Sequence, residues 1–198
     1  MKAIRFFILV GSIHFFTITS YAQLLISEYV EGSLNNKGIE LWNTSSTPLD
    51  LTGVQLEIYG GGSSIPTATI SLTGIVQAGD VFVLANPSAS FASTLADQTS
   101  SAVTWSGDDA IVLRANGIVL DSIGQVGFDP GTAWGTGLTS TADHTLRRRT
   151  GNLNADTVLN DAYDPAITFT GFPSDTFNDL GVPPAPFRAM RGGNPFAE

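Results

Sequence analysis

The stretch Ala110–Ile123, AIVLRANGIVLDSI, decides the fold. Two runs rich in branched apolar residues flank Asn116-Gly117, a dipeptide that accepts the positive φ angles of a tight turn whose twist matches that of its strands. The stretch reads as a β-hairpin. Outward from it, alternation marks further strands, because successive side chains of a strand point to opposite faces. In Leu24–Glu31 it sets Ile26, Glu28 and Val30 against Leu25, Ser27 and Tyr29; Glu31 falls on the second face and is expected to be solvated. Ile39–Asn43 follows the turn-rich GSLNNKG. Leu49–Tyr59 alternates Val54, Leu56 and Ile58 against Gln55, Glu57 and Tyr59 and stops at Gly60-Gly61-Gly62. Thr69–Leu72 and Val81–Ala85 add two strands joined by TGIVQAGD, and residues 86–101 read as a loop with one helical turn. No long segment has the i, i+3, i+4 apolar spacing of an amphipathic helix, so the chain is all-β, and at least seven short strands predict a two-sheet sandwich.

With 198 residues the chain is long enough for one domain with a real core and too short for two comfortable ones. Hydrophobic residues make up 42% and charged residues 14%, a globular balance and the opposite of a disordered chain. Lys2 and Arg5 precede the apolar run Phe6–Phe16, and Ser20-Tyr21-Ala22 supplies the small residues of a cleavage site, so residues 1–22 read as a signal peptide. An uncleaved membrane anchor is the alternative, against which stand the shortness of the run and His14 within it. Cleavage would move the net charge from −9 to −11, since Lys2 and Arg5 leave and no acid does. With no cysteine, thiolate chemistry, disulfides and cysteine-held zinc are excluded. No later segment is apolar for long enough to span a bilayer, and a secreted or periplasmic location is expected. Residues 125–181 read as a loop-rich extension of a core at 23–124, and 182–198, VPPAPFRAMRGGNPFAE, as a Pro/Gly-rich tail.

Four segments then agree in order and spacing with one family. ISEYVEGSLNNKGIELWN, PLDLTGVQLEIY, LTGIVQAGDVFVLAN and GDDAIVLRANGIVLDSIG together resemble the lamin tail domain over Leu24–Gly124. That resemblance implies an immunoglobulin-like sandwich. The continuation QVGFDPGTAWGTGLTSTADHTLRRR and the later GFPSDTFNDLG resemble the bacterial version at the front of secreted endonucleases of the endonuclease/exonuclease/phosphatase type. There the hydrolytic domain lies downstream, so the resemblance implies an accessory binding, adhesion or targeting module. The implied partners are extracellular matrix, a cell-surface component or a separately encoded hydrolase. The alternative is a component or truncated product of an extracellular endonuclease acting on nucleic acid.

The candidate chemistry is thin. After cleavage His144 is the one imidazole, which rules out a histidine pair, and no GxSxG elbow is present. No catalytic residue is assigned. Glu28 and Glu40 sit on apolar faces by alternation, so each needs backbone N–H groups, an arginine or a hard cation such as Ca²⁺. Asn152, Asn154 and Asp156 mimic the start of a calcium loop, although Thr157 stands where such loops place glycine; a polar surface loop is the other reading. Arg147, Arg148 and Arg149 form the one basic cluster. They are expected to stack on Trp134 and pin the long loop, or else to bind phosphate. Three positive charges in so acidic a chain give little long-range attraction for nucleic acid.

Overall fold

A computed structural model describes residues 23–184; the signal peptide read at 1–22 and the tail from residue 185 lie outside the described residues. In chain order the elements are β1 (Leu24–Glu31), β2 (Lys37–Asn43), β3 (Leu49–Asp50), β4 (Val54–Tyr59), β5 (Ala68–Ser71), β6 (Ile75–Val76) and β7 (Val81–Ala85). There follow α1 (Ala92–Leu95), β8 (Gln98–Thr99), β9 (Ala110–Ala115), β10 (Ile118–Ile123), β11 (His144–Arg148), α2 (Pro165–Thr168) and β12 (Phe169–Pro173). A six-stranded sheet runs β12-β11-β1-β2-β7-β8 and a four-stranded sheet runs β10-β9-β4-β5, with β3 and β6 paired apart. The predicted all-β sandwich is what forms.

The main core lies between the two sheets. Ile26, Tyr29, Ile39, Leu41, Leu84 and Leu146 come from one, and Leu56, Ile58, Ile111, Leu113 and Leu120 from the other. Burying each such side chain stabilises by about 1.5–3 kcal/mol. Trp105 fills the space beside Tyr29, with ring centroids 5.9 Å apart, and its indole N–H donates to the Val30 carbonyl at 3.1 Å. The hairpin has Asn116 at φ 49° and Gly117 at φ 83° between the paired Ala115 and Ile118, the double positive φ of a tight I′ turn.

The structure departs from the sequence pattern in three places within the first sixty residues. The alternation of β1 breaks at Ser27: Ile26 pairs with Leu41 but Glu28 pairs with Glu40, so Ser27 is an extra residue, a β-bulge. The extra residue flips every later side chain. Ile26 and Tyr29 therefore face the main core, while Glu28 and Val30 share the outer face. Glu31 is buried rather than solvated, because Lys37 and the Asp143 N–H both donate to its carboxylate. Leu49–Tyr59 is not one strand; Gly53, at φ 82°, turns the chain so that β3 leaves to pair with β6.

The stretch read as loops also holds two strands. β11 pairs antiparallel with β1, and β12 with β11, so both lengthen the six-stranded sheet. Beyond β12 the chain returns across the outer face. There Leu180 joins Val30, Val83, Ala85 and Phe91 in a second apolar cluster, and Phe177 packs on Phe91 with centroids 4.6 Å apart.

Candidate functional site

On the outer face of the six-stranded sheet lies a groove of about 290 Å³. Its walls come from β1, β2, β11, β12 and the returning segment, and it brings together residues from opposite ends of the sequence: Glu28, Glu40, Arg147, Arg149, Phe172 and Asp179. The β1 bulge puts Glu28 there, and the register sets it directly across from both Glu40 and Arg147. Opposed residues of adjacent strands have Cβ atoms about 4.5–5.5 Å apart, so the two acids are forced side by side.

Glu40 is tied on both oxygens. Ser27 Oγ donates to Oε1 at 2.7 Å, and the Gly181 N–H donates to Oε2 at 2.7 Å. Glu28 is held on one: Arg147 Nε donates to Oε2 at 3.2 Å, while the buried Oε1 has no hydrogen-bond partner. Burial first, and then the neighbouring Glu40, push the Glu28 carboxyl up to about 8. Burial likewise raises Glu40 to about 7, against the pull of Ser27 and Gly181. Arg147 stacks on Phe172 at 4.3 Å, donates to Asn178 Oδ1 at 2.9 Å and lies 3.7 Å from Asp179. The same arginine therefore braces the strand and fastens the returning segment.

Arg148, one residue on, points the other way because β11 alternates. It enters the interior and pairs with Asp121 of β10, donates through Nε to the Ile26 carbonyl at 2.6 Å and stacks on Phe169 at 5.3 Å. Asp121 also accepts from the N–H groups of Ile26 at 2.9 Å and Asp156 at 2.8 Å. Burial raises its pKa, an effect opposed by Arg148 and these N–H donors. The pair is a clamp between the two sheets. Arg149 is exposed at the groove rim, its Nε donating to the Phe169 carbonyl at 3.2 Å.

The remaining candidates lie elsewhere. Trp134 does not stack on the arginines; its ring meets Tyr163 edge-on at 6.1 Å, and the arginines use Phe169 and Phe172 instead. Asn152, Asn154 and Asp156 form the loop that closes over Asp121. Asn152 Oδ1 accepts from the Asn154 N–H at 3.0 Å, Asp156 Oδ1 accepts from the Val158 N–H at 3.2 Å, and the Asn154 carbonyl accepts from Arg148 at 2.8 Å. His144, hydrogen-bonded through Nδ1 to the Ala142 carbonyl at 2.6 Å, is not a groove residue. Among the described residues no group of three or more His, Cys, Asp or Glu side chains could hold a metal ion, and no helix is long and apolar enough to cross a membrane. Reading the sequence missed Asp121, Phe172 and Asp179. The alternation of TLRRR carries the one available signal, since it sends Arg148 to the face opposite Arg147 and Arg149.

The architecture is that of an immunoglobulin-like sandwich carrying a polar groove on one outer face. The lamin tail domain family matches residues 17–127, more than half of the chain, and the protein belongs to that family. Among solved structures it is similar to the crystal structure of a DUF4876 family protein from Bacteroides thetaiotaomicron VPI-5482, with 11% identity and a TM-score of 0.53. That similarity covers 83% of this chain and 75% of the other, and it is a likeness of fold. No curated protein matches the sequence.

Proposed function

We propose that this lamin tail domain is an exported, non-catalytic binding module that acts in adhesion or targeting, and that the outer-face groove is where it holds its ligand. The observation that carries the reading is Glu28 Oε1, a buried carboxyl oxygen without a hydrogen-bond partner on a residue that lines the groove. A rigid sheet paid for elsewhere in the core can hold one such unsatisfied group ready for a partner that supplies the missing hydrogen bond. The groove acids are engaged by Ser27, Gly181 and Arg147, and the imidazole is outside it, so the arrangement supports holding rather than bond breaking. The partners proposed are extracellular matrix, a cell-surface component or a separately encoded hydrolase.

The test uses fluorescently labelled protein adsorbed to whole cells and to isolated matrix. Adsorption that changes at least tenfold in Arg149→Ser and in Phe172→Ser, with melting unchanged, supports the reading; adsorption indifferent to both would remove the groove from it. A second reading, a component of an extracellular nuclease, is favoured by the exposed Arg149 at the rim and is tested by incubation with plasmid DNA and Mg²⁺, Mn²⁺ or Ca²⁺. Nicking that His144→Ala or Glu40→Gln abolishes would establish catalysis. The proposed calcium sites are checked alongside. A ligand that binds only the folded state raises its melting temperature, so millimolar Ca²⁺ should do so if Asn152, Asn154 and Asp156, or Glu28 and Glu40, take the ion.

A further inference from the structure

We infer that the groove takes the cationic end of its ligand, a primary ammonium or guanidinium group, with Glu28, one of its lining residues, supplying Oε1 as an acceptor. The inference rests on the binding reading above and names the chemistry of what is bound. Glu28 is 2% exposed and its Oε1 has no hydrogen-bond partner; once the carboxyl is ionised, that oxygen calls for a donor.

Charge selects the kind of donor. Glu28, Glu40 and Asp179 line the groove with Arg147 as their cation; Arg148 is already paired with Asp121, and Arg149 sits at the exposed rim. Once Glu28 and Glu40 are ionised, which their raised values place at about pH 8 and above, negative charge exceeds positive by one even when Arg149 is counted. A ligand cation restores the balance. The net charge of −9 attracts the same kind of ligand over longer distances.

The wall also fits an alkyl-borne cation better than a bare metal ion. Phe172, Val182 and Pro184 provide apolar surface for a side-chain stem, while no group of three or more His, Cys, Asp or Glu side chains among the described residues could hold a metal ion. The cavity, at about 290 Å³, lies at the bottom of the range of small-molecule pockets, a size that suits a single side chain. The returning segment is part of the site, since Glu40 holds Gly181 and Arg147 holds Asn178.

A proton balance follows. Burial keeps Glu28 and Glu40 protonated near neutral pH, so a cation that pairs with them must release their protons to solvent. Binding should tighten as pH rises.

The probes are Nα-acetyl-lysine methylamide and Nα-acetyl-arginine methylamide, with the glutamine analogue, inorganic phosphate and Ca²⁺ as comparisons. Calorimetry at pH 5.5 and 8.5 measures affinity, and paired buffers of different ionisation enthalpy measure proton release at pH 7. Expected are at least tenfold tighter binding of a cationic probe at pH 8.5, net proton release, and loss of binding in Glu28→Gln. Because the buried Glu28 variant can fail to fold, Asp179→Asn at the groove edge is measured as well and should weaken binding about threefold or more. Equal binding of the glutamine analogue, preference for phosphate or Ca²⁺, or affinity that does not change with pH would each overturn the inference. No binding of any probe, alongside cell adsorption that still depends on Arg149 and Phe172, would sink the cation inference while leaving the groove as a binding site. Adsorption indifferent to those two residues would instead remove the groove itself.

Discussion

Two pairs of ionisable residues lie on opposite faces of the six-stranded sheet, and they do different work. Arg148 and Asp121 are both buried and mutually satisfied, so removing either leaves a buried charge alone, which costs about 3–5 kcal/mol. Arg148→Ala should lower the melting temperature by about 10 °C, read by calorimetry, on a scale of about 2–4 °C per kcal/mol for a domain of this size. Glu28 and Glu40 behave oppositely. Each binds its proton more tightly in the folded chain than in the unfolded one, where the ordinary value of 4.5 applies. The stabilisation from that proton is fully present below about pH 4.5 and is lost as pH rises through about 7 for Glu40 and about 8 for Glu28. Asp50 and Asp175, whose backbone and side-chain hydrogen bonds hold them below the ordinary value, matter only at lower pH. Melting temperature should therefore fall by several degrees between pH 5 and 8.5, and Glu28→Gln, which cannot ionise, should flatten that fall. A profile that rises over this range would contradict the protonated state of the pair. The sequence placed both acids on apolar faces and so revealed that they needed partners. It could not reveal which partners, because Arg147 and Gly181 lie more than a hundred residues away.

At the scale of elements, legibility followed side-chain chemistry. The Asn116-Gly117 hairpin and the strand Val81–Ala85 were plain because turn residues and a continuous apolar run are local signals. β11 and β12 were not. HTLRR alternates on its inner face between Leu146 and an arginine, and FTGFP contains Gly171 and ends in Pro173, so neither carries the branched apolar pattern of a strand. What makes them strands is tertiary: β1 offers a pairing edge, and Asp121 offers Arg148 a buried partner. Gly171 is required for a further reason. A Cβ there would collide with the carbonyl of Leu138, in the turn Gly137–Thr139 that closes over β12. Backbone cannot step aside as a flexible side chain can, so Gly171→Ala should destabilise by about 2 kcal/mol or more, within the range of overpacking and strain. Hydrogen exchange should show the loss first in the amides of β12 and the turn, not in the β9–β10 hairpin.

For the molecule as a whole, the extent of the family match and the extent of the folding unit differ. The match ends at residue 127, but the six-stranded sheet needs β11 and β12, which begin at residue 144. A chain ending at 127 would leave the β1 edge unpaired along Glu28, Tyr29 and Val30, an aggregation-prone template. It would also strip Asp121 of Arg148 and of the Asp156 N–H, and strip Tyr29 of the Thr141 carbonyl to which its hydroxyl donates. The outer cluster would lose Leu180 and Phe177. The charge penalty alone, about 3–5 kcal/mol, is comparable with much of the 5–15 kcal/mol that stabilises a typical domain. Residues 23–127 should accordingly be aggregated or lack a cooperative thermal transition, whereas residues 23–184 should melt in one step, with Arg148→Ala lowering that step without splitting it. A cooperative transition and sharp near-ultraviolet dichroism from the shorter chain would show instead that β11, β12 and the returning segment are an appendage on an already stable sandwich, and the groove they complete would then be a late addition to a self-sufficient fold.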